Sequence, residues 1–212
     1  QLDEDDRDAA EDIIATLNDN LGKIDEHGKR ADSIVQSMLL HSRDGPGEQR
    51  TIAINDLASE ALNLAYHGAR AEVQGFNVTL EKNLDDAAGM IEAIPQDLTR
   101  VFLNVIGNGL DATHQRDEMG ESGYQPTLSL STRDLGDRVE IVIRDNGTGM
   151  PEEVADKIFA PFFTTKPPGK GTGLGLSISH DIVVKQHGGQ FDVDSQDGEY
   201  TAFRIVLPRS GS

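Results

Sequence analysis

Residues 144–178 read RDNGTGMPEEVADKIFAPFFTTKPPGKGTGLGLSI. Two glycine clusters flank a short apolar aromatic segment, and a helix with periodic apolar residues follows directly. Asp145, Asn146, Gly147, Thr148 and Gly149 place a carboxylate at the end of a strand, in a turn with two glycines. A carboxylate there can accept a hydrogen bond from an exocyclic amine such as that of adenine. The two glycines let the backbone pass close to a flat ring. Gly171, Gly173 and Gly175 form GTGLGL at the start of a helix expected to run to about His187. The free N–H groups of a helix start can hold phosphate. The polar, Pro- and Gly-containing residues 164–170 between them read as a lid. Each element alone is also an ordinary turn. Together they are what a phosphate-bearing nucleotide needs.

Upstream of this stretch, residues 127–132 and 138–144 alternate apolar and polar and read as two strands, joined by a turn containing Gly136. That hairpin delivers Asp145 to the mouth of a sheet. Before it, Pro95 opens a helix at a first-turn position. Leu98, Phe102, Val105, Gly109 and Ala112 form its apolar face, and Asn104, Asn108 and Asp111 form a polar stripe beside it. Amides on a mostly apolar helix are costly unless they find partners. They either hydrogen-bond neighbouring backbone or supply oxygen to a hard cation such as Mg²⁺, which takes few protein ligands when phosphates supply the rest. Further upstream, residues 51–54, 76–84 and 90–94 read as strands. Asn55 is expected to cap a helix through about Arg70, with Leu57, Ala61, Leu62, Leu64 and Ala65 on its core face.

The start of the chain is of another kind. Ile14, Leu17, Leu21, Ile24, Gly28, Ala31, Val35 and Met38 alternate spacings of three and four, a heptad seam. One long coiled-coil-like helix over about 9–41 is expected, and its seam needs a partner helix. Residues 42–49 stop it and form a linker. His27 and His41 stand alone at unrelated spacing and read as surface or boundary residues.

The whole chain limits the choices. Its 212 residues contain no Cys, which excludes disulfides and thiolate metal sites. No apolar run approaches the ~18 residues of a membrane span, and the start is acidic, so a cytoplasmic setting without membrane contact is expected. A formal charge of −18 argues against nucleic acid. It also means that a bound polyphosphate needs local help from backbone N–H groups, a metal ion or positioned cations.

In order and spacing, these motifs resemble the ATP-binding catalytic domain of sensor histidine kinases, in the gyrase/Hsp90/histidine kinase/MutL superfamily. Residues 104–108, within LNVIGNGLDA, match the family's N box. Asp145, Gly147 and Gly149 match its first glycine box, residues 159–163 its F box, and Gly171, Gly173 and Gly175 its second glycine box. The ending HGGQFDVDS followed by TAFRIVLP matches its terminal strands, so the likeness covers about 51–208. The N-terminal helix resembles the second helix of the family's dimerisation and phosphotransfer hairpin.

The resemblance implies a two-layer α/β sandwich of the Bergerat type, with a mixed sheet of about five strands and about three helices on one face. It divides the chain into a partial dimerisation helix (1–45), a linker (46–50) and the catalytic domain (51–212). Asn108 would coordinate Mg²⁺ on the triphosphate, with Asn104 nearby and Lys166 a phosphate cation; these three are the implied catalytic residues. ATP would be held by Asn108, Asp111, Asp145, Gly147, Gly149, Phe159, Phe163, Lys166, Gly171, Thr172, Gly173, Leu174, Gly175, Leu176 and Thr201. Implied partners are a phosphoacceptor histidine helix, a response regulator receiver domain and, in the full-length protein, a second copy through the N-terminal helix.

Three departures matter. Glu199-Tyr200-Thr201 stands where a more glycine-rich turn is usual, and Asp111 where some members carry a basic residue. The family's acceptor motif is absent: His27 is followed by Gly-Lys-Arg and His41 by Ser-Arg-Asp. The phosphate acceptor is therefore expected outside this chain. Related ATPases carry a water-activating Glu where Asn104 stands. An amide has no basic lone pair, which favours a kinase that positions an external imidazole. The competing readings are a water-using ATPase or serine/threonine kinase of the same fold, and a nucleotide-binding module without catalysis.

Overall fold

The structure is a computed structural model that describes residues 47–210 apart from 74 and 168–170, together with scattered positions between 13 and 28. Most of the expected N-terminal helix, with His27, His41 and most of the linker, lies outside the described residues. Those described between 13 and 28 are helical, and Ile14, Leu17, Leu21 and Ile24 are exposed.

Two sheets and one helical layer form the body. Strand β1 (Arg50–Ala53) leads into helix α1 (Ile54–Glu72), followed by β2 (Thr79–Asn83) and β3 (Met90–Ala93). Helix α2 (Pro95–Glu118), β4 (Thr127–Asp134) and β5 (Arg138–Asp145) come next. A short α3 (Glu152–Ala155), helix α4 (Gly175–His180) running on into a π-helical turn (Asp181–Gln186), β6 (Gln190–Gln196) and β7 (Tyr200–Pro208) complete the chain. The main sheet has the order β2-β4-β5-β7-β6. Only its β2–β4 pair is parallel, so the sheet is mixed. β1 and β3 form a separate antiparallel pair.

The core is built by two periodicities meeting. α1 turns Ile54, Ala58, Ala61 and Leu62 inward, and α2 turns Leu98, Val101, Phe102, Val105, Ile106 and Leu110 inward. The sheet answers with alternate residues: Leu128 and Leu130 on β4, Val139, Ile141 and Ile143 on β5, and Phe203, Ile205 and Leu207 on β7. The next inward position on β5 after Ile143 is Asp145. The period of two therefore buries a carboxylate under the helical layer.

Three local expectations are corrected. Leu64, expected on the core face of α1, is 58% exposed. Asn55 does not cap α1; the cap position is Ala53, without a side-chain hydrogen bond. Asn55 instead lies inside the first turn, donates to the Asp85 carbonyl at 2.9 Å and accepts from the Thr132 hydroxyl at 2.8 Å. The long-range partners outcompete the local one. The last helix also starts at Gly175 rather than at Gly171, so the GTG segment precedes it as loop. A buried histidine joins the start of α2 to the last helical segment: His187 accepts the Ile94 N–H at 3.1 Å through Nε2, and its Nδ1 donates to the Ile182 carbonyl at 2.9 Å.

Candidate nucleotide site

A cleft of about 370 Å³ opens between α2, the end of β5 and the glycine loop, within the size range of small-molecule sites. α2 lines it with Asn104, Asn108, Asp111, Ala112 and Gln115, which recur with spacings of four, three, one and three and so share one helix face. Asp145, Gly149, Phe163, Lys166, Gly171, Thr172, Gly173, Gly175, Leu176 and Thr201 line it from the other elements. Three predicted residues are not in its wall. Gly147 packs on α2, where an added Cβ would come within 2.5 Å of the Ala112 carbonyl carbon. Phe159 packs in an aromatic cluster with His180 and Phe191, tilted against both at 5.1 and 5.0 Å between ring centres. Leu174 precedes the first residue of α4.

Asp145 is 3% exposed. Burial raises its pKa to about 6, against the opposing pull of backbone N–H groups of Gly147 and Thr201. The Gly147 N–H donates to its Oδ1 at 2.9 Å. Across the ladder Asp145 pairs in register with Thr201, itself buried. The unusual Glu199-Tyr200 turn does not displace that threonine. Tyr200 points to the open face of the sheet, where it donates to Asp194 at 2.7 Å and lies under the Arg144 guanidinium at 4.3 Å, so Thr201 alternates inward.

The polar stripe of α2 splits into two functions. The Asn104 amide donates to the Gly175 carbonyl at 3.3 Å and to the Ser179 hydroxyl at 3.2 Å, tying α2 to the start of α4. A carbonyl can only accept, so that contact fixes which end of the amide faces α4. Asn108 and Asp111 point instead at Lys166, whose ammonium donates to Asn108 Oδ1 at 3.1 Å and to Asp111 Oδ2 at 2.5 Å.

The glycine loop is shaped by close approach. A Cβ on Gly173 would run into the backbone of Phe162, and one on Gly149 into the Gln196 carbonyl. Both glycines have positive φ, +66° and +62°. Phe162 is the one non-glycine residue with positive φ among the described residues, at +67°, and its ring is half exposed. Such a conformation in a bulky residue persists only when its surroundings impose it.

As site residues, sequence reasoning passed over Gly109, Ala112, Gln115, Thr148, Met150, Ile158, Thr164, Thr165 and Phe203 in the wall. Helical spacing from Asn108 could have found Ala112 and Gln115. Nothing local marks Ser195, whose hydroxyl accepts the Met150 N–H at 2.9 Å and sits 3.1 Å from the Thr201 hydroxyl, joining the loop after β5 to β7.

The family model described as histidine kinase-, DNA gyrase B-, and HSP90-like ATPase matches residues 93–211. Sporulation kinase C of Bacillus subtilis (strain 168) is 32% identical over 181 residues, covering 85% of this chain and 39% of the relative. Sensor kinase CckA of Brucella abortus (strain 2308) is 35% identical over 199 residues, covering 88% of this chain and 20% of the relative. The chain thus spans about two fifths or less of the length of these curated relatives. Among solved structures, the nucleotide-free catalytic domain of histidine kinase ThkA superposes with a TM-score of 0.63 at 27% identity, over 77% of this chain and 97% of that one. ThkA in complex with the response regulator protein TrrA superposes with a TM-score of 0.65 at 25% identity, over 92% of this chain and 52% of that one.

Proposed function

The chain belongs to the family of histidine kinase-, DNA gyrase B- and HSP90-like ATPases, and from that membership we propose that its cleft binds ATP with Mg²⁺ and directs the γ-phosphoryl group to a histidine outside this chain. One observation carries the choice of acceptor. The side chain nearest the glycine loop on α2 is the Asn104 amide, and its N–H groups are committed to Gly175 and Ser179. The carboxylates lining the cleft are Asp145, buried and held by Gly147, and Asp111, engaged by Lys166. Neither carboxylate stands at position 104, where an amide cannot take a proton from water, which supports transfer to an imidazole over hydrolysis.

The roles follow from position. Asp145 accepts the adenine amine, with Thr201 beside it. The backbone of residues 171–175 and the Lys166 ammonium meet the phosphates. The oxygens of Asn108 and Asp111 already gather one cation, the Lys166 ammonium, and hard oxygens of this kind suit Mg²⁺. Among the described residues no group of three or more His, Cys, Asp or Glu could hold a metal alone. Phosphate oxygens and water would complete the shell. When bound, Mg²⁺ neutralises charge on the triphosphate. In the transfer, the neutral imidazole nitrogen forms the N–P bond as the bond from phosphorus to the bridging β–γ oxygen breaks and ADP leaves.

We extend the proposal to the whole protein. Residues 51–212 act as the catalytic domain, 46–50 as linker and 1–45 as part of a dimerising helical hairpin, with a response regulator receiver as the next phosphate acceptor. The solved complex of the relative ThkA with a response regulator supports that partner class. No helix among the described residues is long and apolar enough to cross a membrane. The test is incubation with ATP, Mg²⁺ and a separately made helix carrying the segment upstream of this chain. Acid-labile, base-stable phosphate on that helix is the expected result. Phosphate release without transfer would favour a water-using ATPase, nucleotide binding with neither transfer nor phosphate release a binding module without catalysis, and absence of nucleotide binding would overturn the site assignment.

A further inference from the structure

Arg116 occupies the last turn of α2, four residues beyond Ala112, so both side chains face the loop that follows β5. Ala112 meets that loop by steric contact with Gly147. Arg116 meets it by charge: its Nη1 donates to the carbonyls of Asn146 at 3.0 Å, Glu199 at 3.2 Å and Gly147 at 3.4 Å. The guanidinium is itself held in place. Its Nε donates to Glu121 at 2.9 Å, and its carbon lies 4.7 Å from the centre of the Tyr124 ring. Tyr124 in turn donates to Asn146 Oδ1 at 3.1 Å, which also accepts the Thr127 N–H at 2.8 Å.

One peptide plane links this clamp to the buried carboxylate. The Asn146 carbonyl and the Gly147 N–H belong to the same trans peptide and point in opposite directions. Arg116 grips the carbonyl, and the N–H on the other side donates to Asp145 Oδ1. That bond uses one carboxylate oxygen and leaves Oδ2 beside Gly109, where an added Cβ would come within 3.3 Å. The Glu199 bond ties the turn before Thr201 to the same guanidinium.

We propose that Arg116 is a positioning residue for base recognition, which locks the Asn146–Gly147 peptide so that Asp145 presents Oδ2 to a 6-amino purine and rejects a 6-oxo purine. It touches no nucleotide itself. The inference rests on the ATP site assigned above. A purine with a carbonyl at that position has no donor there for a carboxylate oxygen, so the discrimination depends on where Oδ2 points.

The test measures binding of ATP, GTP and inorganic tripolyphosphate to the full chain and to Arg116→Met, which keeps the aliphatic stem, Arg116→Lys and Glu121→Ala. Arg116→Met should weaken ATP about ten-fold, as expected for loss of a charge-assisted bond, and leave tripolyphosphate unchanged. The ATP-to-GTP preference should shrink by the same factor. Arg116→Lys should restore part of it, since a lysine reaches one carbonyl but not three. Glu121→Ala, on an exposed side chain, should shift the preference in the same direction by less and serves if Arg116→Met does not fold. Proportional weakening of ATP and tripolyphosphate would mark a merely structural residue and overturn the proposal, as would an unchanged ATP-to-GTP preference in both Arg116→Met and Glu121→Ala. Failure of the unaltered chain to bind ATP would instead overturn the site assignment itself.

Discussion

Lys166 donates its ammonium to Asp111 at 2.5 Å, joining the segment before the glycine loop to the middle of α2 across 55 residues of sequence. The same ammonium reaches Asn108 at 3.1 Å. Two residues assigned to nucleotide binding thus already hold one another, together with the proposed metal ligand. A triphosphate entering the cleft would offer Lys166 a stronger anion than the half-exposed Asp111 carboxylate.

Removal of that ammonium should separate phosphate chemistry from base binding. Lys166→Met is expected to lower phosphoryl transfer by roughly a hundred-fold, the scale of losing one preorganised charge donor. ADP affinity should change much less. Single-turnover transfer to an acceptor helix, beside ADP titration, reads the two effects apart. Equal losses in both would contradict the assignment of Lys166 to the γ-phosphate.

Asp145 should give opposite pH dependences for stability and for binding. Its pKa is raised by burial to about 6, so the folded state holds this proton more tightly than the unfolded chain, where the ordinary value is 3.8. Its contribution to stability is therefore best below about pH 4 and falls as pH rises to about 6, by on the order of 3 kcal/mol at most. Asp145→Asn lacks this slope. Urea unfolding at pH 4.5 and pH 7 should show the stability gap moving in favour of the variant at the higher pH. ATP affinity should rise through the same window, because the ionised carboxylate is the stronger acceptor, and should be flat in Asp145→Asn.

Asn104→Glu should not create an efficient ATPase. A glutamate there would turn an acceptor toward the Gly175 carbonyl, which now receives the amide N–H. The expected result is a loss of about 1–3 kcal/mol in stability and faster amide exchange in 175–179, with ATP hydrolysis still slow. A large gain in hydrolysis with unchanged exchange would remove the structural role assigned to this amide.

Glycine substitutions should sort by surroundings and not by φ alone. Gly149 and Gly136 both have positive φ, +62° and +86°. Gly149→Ala drives a Cβ into the Gln196 carbonyl, whereas Gly136→Ala meets nothing within 4 Å. The first should cost more than 3 kcal/mol or prevent folding, the second about 1 kcal/mol. Thermal melts of the two variants check the order.

Much of this fold was legible in the chain because its signals are local and periodic. Alternation marked β4 and β5, Pro95 with the apolar spacing after it marked α2, and β7 was read only through the likeness of the chain's ending to the family's terminal strands. The same helical spacing brought Asn104, Asn108, Ala112 and Gln115 to one wall, and the glycine boxes marked the loops around them. What failed was cap and boundary reading, at Asn55 and at the start of α4. There a side chain or loop answers to distant partners, Asp85 and Thr132 in one case and the Phe162 backbone in the other.

The sequence by itself determined the elements, the nucleotide-type loops and the amide at position 104, because each is written in residue type and spacing along one segment. Tertiary structure alone decided what those side chains do. It set Asn104 on α4 rather than free in the cleft, bound Lys166 to Asp111 and aimed Arg116 at the peptide behind Asp145. Those contacts join positions 30 to 83 residues apart. Hydrogen-bond partners at such separation follow from how helix and sheet pack, and no local pattern encodes them.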